Sequence, residues 1–279
     1  PADLADRALK WIEEAARRAE RAASWTQAER LFGEGLELVA DEAHEVGRLD
    51  LLMGRAQARC ELWDFVGARA DVMAALSVAE ERGDLAATAR ALTLLGEVDT
   101  RDTSSPAPTD VLARAVALFD RLGDRNGRAE ALRWTGMASL LRNDPGAAFA
   151  PISEALDHYR AVSDRRGEAW ALQNLAWISL VTGDPERAEE LLDGSAQAFS
   201  GIGDTGGMAW AMGLLAFVRL SEGRLDEARD LAVPILRETE RRGDHWARGM
   251  MSVVIANIDL WQGRTEEAER NASRAVTAF

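Results

Sequence analysis

The chain has 279 residues, 47% of them hydrophobic, 6% aromatic and 29% charged, with a formal net charge of −14. So negative a chain is repelled by phosphate backbones, which argues against direct nucleic-acid contact. A single cysteine, Cys60, excludes an intrachain disulfide or a multi-cysteine zinc cluster.

No apolar run reaches the length of a membrane span, and the charged stretch Pro1 to Glu20 does not read as a signal peptide; a cytoplasmic protein without membrane contact is expected. Much of the apolar content is Ala and Leu, strong helix formers, while Pro is scarce.

From the N-terminus, the first helical segment (Asp3 to Ala23) carries Glu and Arg on much of its surface, as a capping element should. Ser24 with Gln27 reads as a capping box for the next helix. A 40-residue clock follows. Gly83-Asp84, Gly123-Asp124, Gly203-Asp204 and Gly243-Asp244 keep it, with Ser163-Asp164 filling the gap. Half a period away stand Asn143-Asp144, Gly183-Asp184, Gly223-Arg224 and Gly263-Arg264. Each glycine suits a left-handed C-cap, and Asp144-Pro145 and Asp184-Pro185 open helices with an N-cap aspartate and a first-turn proline.

In the third unit Arg101 to Asp110 replaces the tight turn; Pro106 and Pro108 forbid a continuous helix there. The register survives, so helix is traded for a longer solvated turn; a hinge or contact loop at 103–109 is the sharper alternative. In the fifth unit, Arg165 to Thr182 is apolar over most of its circumference, as a sandwiched inner helix should be. Pro185 to Ser200 carries one stripe: Ala188, Leu191, Leu192, Ser195, Ala196 and Phe199.

Small residues run through every unit. One column reads Ala16, Ala56, Gly96, Gly136, Ala176, Ala216, Ala256; another reads Ala28, Ala68, Pro108, Ala148, Ala188, Ala228, Ala268. The units are therefore about 3–42, 43–82, 83–122, 123–162, 163–202, 203–242 and 243–279, one repeat domain over 1–279.

Those residues carry a family resemblance. Leu172, Leu175, Ala176, Gly183-Asp184, Ala188 and Leu192 in the fifth unit resemble a tetratricopeptide (TPR) hairpin, as do Met212, Leu215, Ala216, Gly223-Arg224, Ala228 and Ala232 in the sixth. The resemblance implies an all-α, right-handed superhelical solenoid of seven TPR-like hairpins, about 14 helices. The family's aromatic at the end of helix A is Ser179 or Arg219 here, its closing proline is Ser200 or Glu240, and the period exceeds the common 34. The repeats are most similar to those of LuxR-type maltose-regulator-like and cyclase-linked ATPases of bacterial signalling. The ends at Pro1 and Phe279 read as those of a piece of a longer protein.

Chemistry is hard to place on this sequence. Gly201, Gly203 and Gly206 spell G-x-G-x-x-G, but between two helices, where it cradles no pyrophosphate. The glycosylation triplet Asn271-Ala272-Ser273 falls within a helix. His44, His158 and His245 lie in different units, without metal-ligand spacing. Cys60 shares a column with Leu140, Leu180, Leu220 and Leu260 and reads as packing. No enzyme activity, cofactor or metal is expected.

The resemblance does imply a partner groove, lined by one face of each helix A. Carried over, that face is charged in the first three units (Lys10, Glu13 and Arg17; Asp50, Gln57 and Glu61; Arg90, Glu97 and Arg101). It turns apolar and aromatic in the last four. The candidate groove residues are Met137, Trp170, Gln173, Trp177, Trp210, Phe217, Asn257 and Trp261. The bland alternative is that Trp170 and Trp210 only fill the wider gaps of a 40-residue repeat. The expected function is a non-enzymatic scaffold for a protein or peptide within a bacterial signalling or transcriptional regulator. The alternative is sensing of a small-molecule effector, Gln173 and Asn257 serving as its polar groups; homo-oligomerisation stays open.

Overall fold

A computed structural model describes residues 2–21, 24–39, 45–102, 104–242 and 245–277. The expected Gly243-Asp244 turn and His44 lie outside the described residues. Among those residues are 14 α-helices: α1 (Ala2–Arg21), α2 (Trp25–Leu38), α3 (Glu45–Glu61), α4 (Phe65–Glu81), α5 (Leu85–Arg101), α6 (Thr109–Leu122) and α7 (Arg125–Leu140), then α8 (Pro145–Ala161), α9 (Arg165–Val181), α10 (Pro185–Gly201), α11 (Thr205–Ser221), α12 (Leu225–Arg242), α13 (His245–Trp261) and α14 (Thr265–Val276). Odd-numbered helices are helix A of a repeat and even-numbered ones helix B. Contacts group the chain into two compact units, residues 1–143 and 144–279, where the sequence reads as one uninterrupted array.

The aspartates set the helix starts. Asp64, Asp84, Asp124, Asp144, Asp164, Asp184 and Asp204 each accept a hydrogen bond from the backbone N–H three residues on. Each satisfies a donor that the first turn would otherwise leave orphaned. Ser24 departs from expectation: it is the N-cap of α2, yet its side chain makes no capping hydrogen bond. Asp64 caps at nearly the same backbone ψ (70° against 67°), so the difference lies in the side chain, whose hydroxyl oxygen sits one bond closer to the backbone than a carboxylate oxygen.

Helix A packs on the preceding helix B by trading volume. A Cβ added to Gly127, Gly167 or Gly207 would lie 2.2 Å from the ring of Phe119, Tyr159 or Phe199 respectively. Where helix B instead carries Ala79, the partner is Ala87, both in one buried cluster. The glycines are thus aromatic seats, not loop residues.

Charge pairs clasp junctions of the same kind, from helix B to the next helix A, at a separation of 30 residues. Glu29 meets Arg59 at 3.2 Å and Arg69 meets Asp99 at 2.6 Å in the first unit. Glu189 pairs with Arg219, and Arg229 with Asp259, in the second. The sign alternates from clasp to clasp. The equivalent places on α6 and α7 hold Thr109 and Ser139, and those on α8 and α9 hold Phe149 and Ser179.

The irregular third repeat is as expected in outline: α6 has 14 residues where α4 and α10 have 17. Pro108 is buried in the small-residue column, as its N-cap. The loop is tied down. Asp102 accepts from the Ser104 N–H (3.1 Å) and hydroxyl (2.6 Å), Arg69 reaches Asp102 and the Ser105 hydroxyl, and Arg142 donates to the Ser105 carbonyl at 3.2 Å. No helix among the described residues is long and apolar enough to cross a membrane.

Candidate functional site: the helix-A faces

Within each unit neighbouring helices A touch, so each helix-A column is a physical stripe there. In the first unit that stripe is polar and self-satisfied. Gln57 Nε2 of α3 approaches Glu97 Oε1 of α5 at 3.4 Å and Glu61 Oε1 at 3.3 Å. Arg101 donates to Glu61 at 2.9 and 3.2 Å and to Glu97 at 3.3 Å. On α7, Arg133 and the Trp134 indole both donate to Glu130, at 2.6 and 3.0 Å. Burial pushes the Glu97 carboxyl from 4.5 up to about 7, Glu61 and Glu130 adding to the rise and Arg101 and Arg133 opposing it. Burial likewise pushes the Cys60 thiol up, so it stays protonated and unreactive at neutral pH.

In the second unit the stripe is different in kind. Trp177 of α9, Phe217 of α11 and Asn257 of α13 occupy the column that holds Gln57 and Glu97 in the first, and all three are half-buried. Phe217 leans on the cluster around Val254 and Ile258. Asn257 donates back to the Val253 carbonyl at 2.8 Å. Trp210 is half-buried; Trp261 and its neighbour Leu260 are 60% and 57% exposed, whereas Leu220 in the same column as Leu260 is buried. Trp170 is half-buried too and packs edge-on against Phe199 of α10, ring centroids 5.1 Å apart, so part of it belongs to the repeat's own core. Met137 is buried in the first unit.

Gln173 is 3% exposed, and its neighbour Asn174, which the sequence reading passed over, is 5% exposed. No described protein group donates a hydrogen bond to either carboxamide oxygen. Burying such an oxygen unpaired costs about 1–3 kcal/mol. The sequence held a signal for Asn174: its column is otherwise Gly54, Leu94, Trp134, Leu214 and Val254 after a charged start at Glu14.

In the second unit one further surface is already matched in charge. A shallow groove of about 690 Å³ in the second unit is lined by Arg160, Arg165 and Arg187, paired with Glu168 or Glu190 at 2.9, 3.0 and 2.7 Å. Among the described residues no group of three or more His, Cys, Asp or Glu side chains is placed to hold a metal ion.

No family model matches the chain, and no curated protein matches it in sequence. Solved structures do match in shape. The Rap conjugation gene regulator of plasmid pLS20, in complex with the Phr peptide, superposes with a TM-score of 0.78 at 12% identity, over 95% of this chain and 71% of that one. NprR in complex with its cognate peptide NprX gives 0.72 at 12% identity, over 99% and 78%. A signal-transduction ATPase with numerous domains and a tetratricopeptide repeat sensor, from Pyrococcus horikoshii, gives 0.59 at 18% identity, over 96% and 40%. The fold is that of the tetratricopeptide-like helical repeats.

Proposed function

We propose that this chain is a non-enzymatic scaffold that receives a peptide, or an extended segment of a partner protein, on the helix-A face of its second unit, as part of a bacterial signalling or transcriptional regulator. One observation carries the reading. The column that is polar and internally hydrogen-bonded at Gln57 and Glu97 becomes Trp177 and Phe217 on adjacent helices, with Trp210 beside them and Trp261 exposed. Aromatic side chains that are neither fully cored nor fully solvated are the usual anchors of a binding surface. Two of the proteins whose fold it shares are described as complexes with peptides, which supports a peptide as the occupant.

Short random peptides selected on the whole chain, then titrated by tryptophan fluorescence, test this. The Trp177→Ala/Phe217→Ala double variant, checked for retained helicity, is expected to bind the selected peptides at least tenfold more weakly. Equal binding by the folded variant would sink the site. A screen in which only a small metabolite raises the melting temperature, with no peptide recovered, would favour effector sensing instead.

A further inference from the structure

Charge is almost absent from the helix-A face of the second unit. In the first unit the windows 50–61, 90–101 and 130–141, one each on α3, α5 and α7, hold ten charged residues. The same windows of the second unit, 170–181, 210–221 and 250–261 on α9, α11 and α13, hold two, Arg219 and Asp259. Both are spent at the edge of the face. Arg219 is clasped to Glu189 and Asp259 to Arg229, with side chains 10% and 3% exposed. At the other end of the helices Arg166 pairs with Asp204 at 3.1 Å. Two polar side chains of the face are bound to their own helices: Asn257 donates to the Val253 carbonyl and the Ser221 hydroxyl to the Val218 carbonyl, each at 2.8 Å. Val181, Leu260 and Trp261 are more than half exposed, and Trp177, Trp210 and Phe217 are half-buried beside them.

Two electrostatic effects compete over what such a face receives. The chain's net charge of −14 attracts basic peptides from a distance. That attraction is screened beyond about 8 Å at physiological ionic strength, and at contact it needs a free carboxylate at the landing place. The one carboxylate in these windows, Asp259, already accepts from Arg229, Arg264 and Asn271. A charged side chain of either sign laid on this face therefore gives up its water and finds no counter-ion. An apolar side chain gains contact with the aromatic rings at no such cost. We propose that the occupant of this face is an apolar peptide segment with no charged side chain over the stretch that lies on it, and that the missing charge sets its specificity. This rests on the peptide-binding reading above. Three helices A set about 8–10 Å apart are crossed in about 20 Å, the length of about six residues of extended chain. Selection by rejection discriminates sharply against charge and weakly among apolar side chains. The first unit supplies the contrast: its face carries its own polar partners, Gln57 for Glu97 and Arg101 for Glu61.

The test selects random peptides of about seven residues on the whole chain at physiological salt. The recovered peptides should lack Asp, Glu, Lys and Arg at their central positions, whereas a site ruled by net charge would enrich Lys and Arg. One recovered peptide is then remade with Lys, Glu or Ala in place of a central apolar residue, which needs no variant of the protein. The Lys and Glu forms should both bind at least tenfold more weakly than the Ala form. The dissociation constant of the recovered peptide should change less than twofold between low salt and about 0.5 M. Charged central residues among the recovered peptides, Lys or Glu tolerated within twofold of Ala, or a tenfold loss of affinity with salt would each overturn the inference. The aromatic site would then stand or fall on the Trp177→Ala/Phe217→Ala variant alone. If no peptide is recovered at all, the peptide-binding reading falls and this one with it.

Discussion

Glu97 shows what one residue does when a polar stripe is folded into a helix array. Its carboxyl is held up near 7 chiefly by burial, and the guanidinium groups of Arg101 and Arg133 do not restore it. An unfolded chain releases this proton near 4.5, the folded chain near 7, so between those values the folded state holds the extra proton. Stability from this group is therefore complete below about 4.5 and is lost as pH rises through about 7, a swing of about 3 kcal/mol. Gln in its place cannot ionise and keeps the hydrogen bonds, and Arg101 still has Glu61. Measured by urea unfolding, Glu97→Gln should gain about 2–3 kcal/mol on the parent between pH 5 and pH 8. Parallel pH profiles for the two proteins would show that Arg101 keeps Glu97 ionised throughout. That Glu97 belongs to the helix-A face is legible from its place in a 40-residue column. That Gln57 donates to Glu97, and Arg101 to Glu61, is not, because those partners lie 40 residues apart and only folding brings them together.

At the scale of the element, much was legible for a plain reason: caps are local. Asp followed by a helix start every 20 residues fixes where helices begin, and seven aspartates do cap as the chemistry demands. What links one element to the next was not legible. The seats of Phe119, Tyr159 and Phe199 on glycines, and the clasps across α10–α11 and α12–α13, depend on which columns face each other. Asp259 is the most enclosed clasp member, 3% exposed on its side chain. Burial would raise its carboxyl, but Arg229, Arg264 and Asn271 all donate to it and hold it below the usual aspartate value. Asp259→Ala should cost about 2–3 kcal/mol by urea unfolding, since three donors lose their acceptor. The equivalent place on α9 is Ser179, opposite Phe149 with no clasp, and Ser179→Ala should stay within about 0.5 kcal/mol. Similar losses at both sites would mean the clasps are ornamental and packing alone joins the helices. At Arg59, Asp99, Arg219 and Asp259 the end of helix A is used for charge where a tetratricopeptide repeat has its aromatic, while Ser139 and Ser179 carry neither.

For the molecule as a whole, each helix packs on the one or two that follow or precede it, so stability should be a sum over neighbouring repeats rather than a property of one closed core. The 40-residue register then has a physical meaning that a deletion can probe. Removing residues 165–204 joins Asp164 directly to Thr205. The cap survives, because Asp164 now meets the Gly207 N–H in place of that of Gly167, and Tyr159 finds Gly207 as its seat where it had Gly167. Helix α8 is followed by α11, another helix A with the same small-residue column. Removing residues 165–184 instead joins Asp164 to Pro185 and puts a helix-B sequence where a helix A must be sandwiched, carrying Glu189 and Glu190 into it. The whole-repeat deletion should keep its helicity per residue and one cooperative transition at a lower midpoint. The half-repeat deletion should lose cooperativity and bind hydrophobic dye. The shortened array also lacks Trp170, Gln173 and Trp177 while retaining Trp210 and Phe217. It should therefore fold without binding the selected peptides, which separates the repeat that recognises from the repeats that hold it. Equal tolerance of the two deletions would mean that the period is a trace of how the sequence arose and no longer governs how it packs.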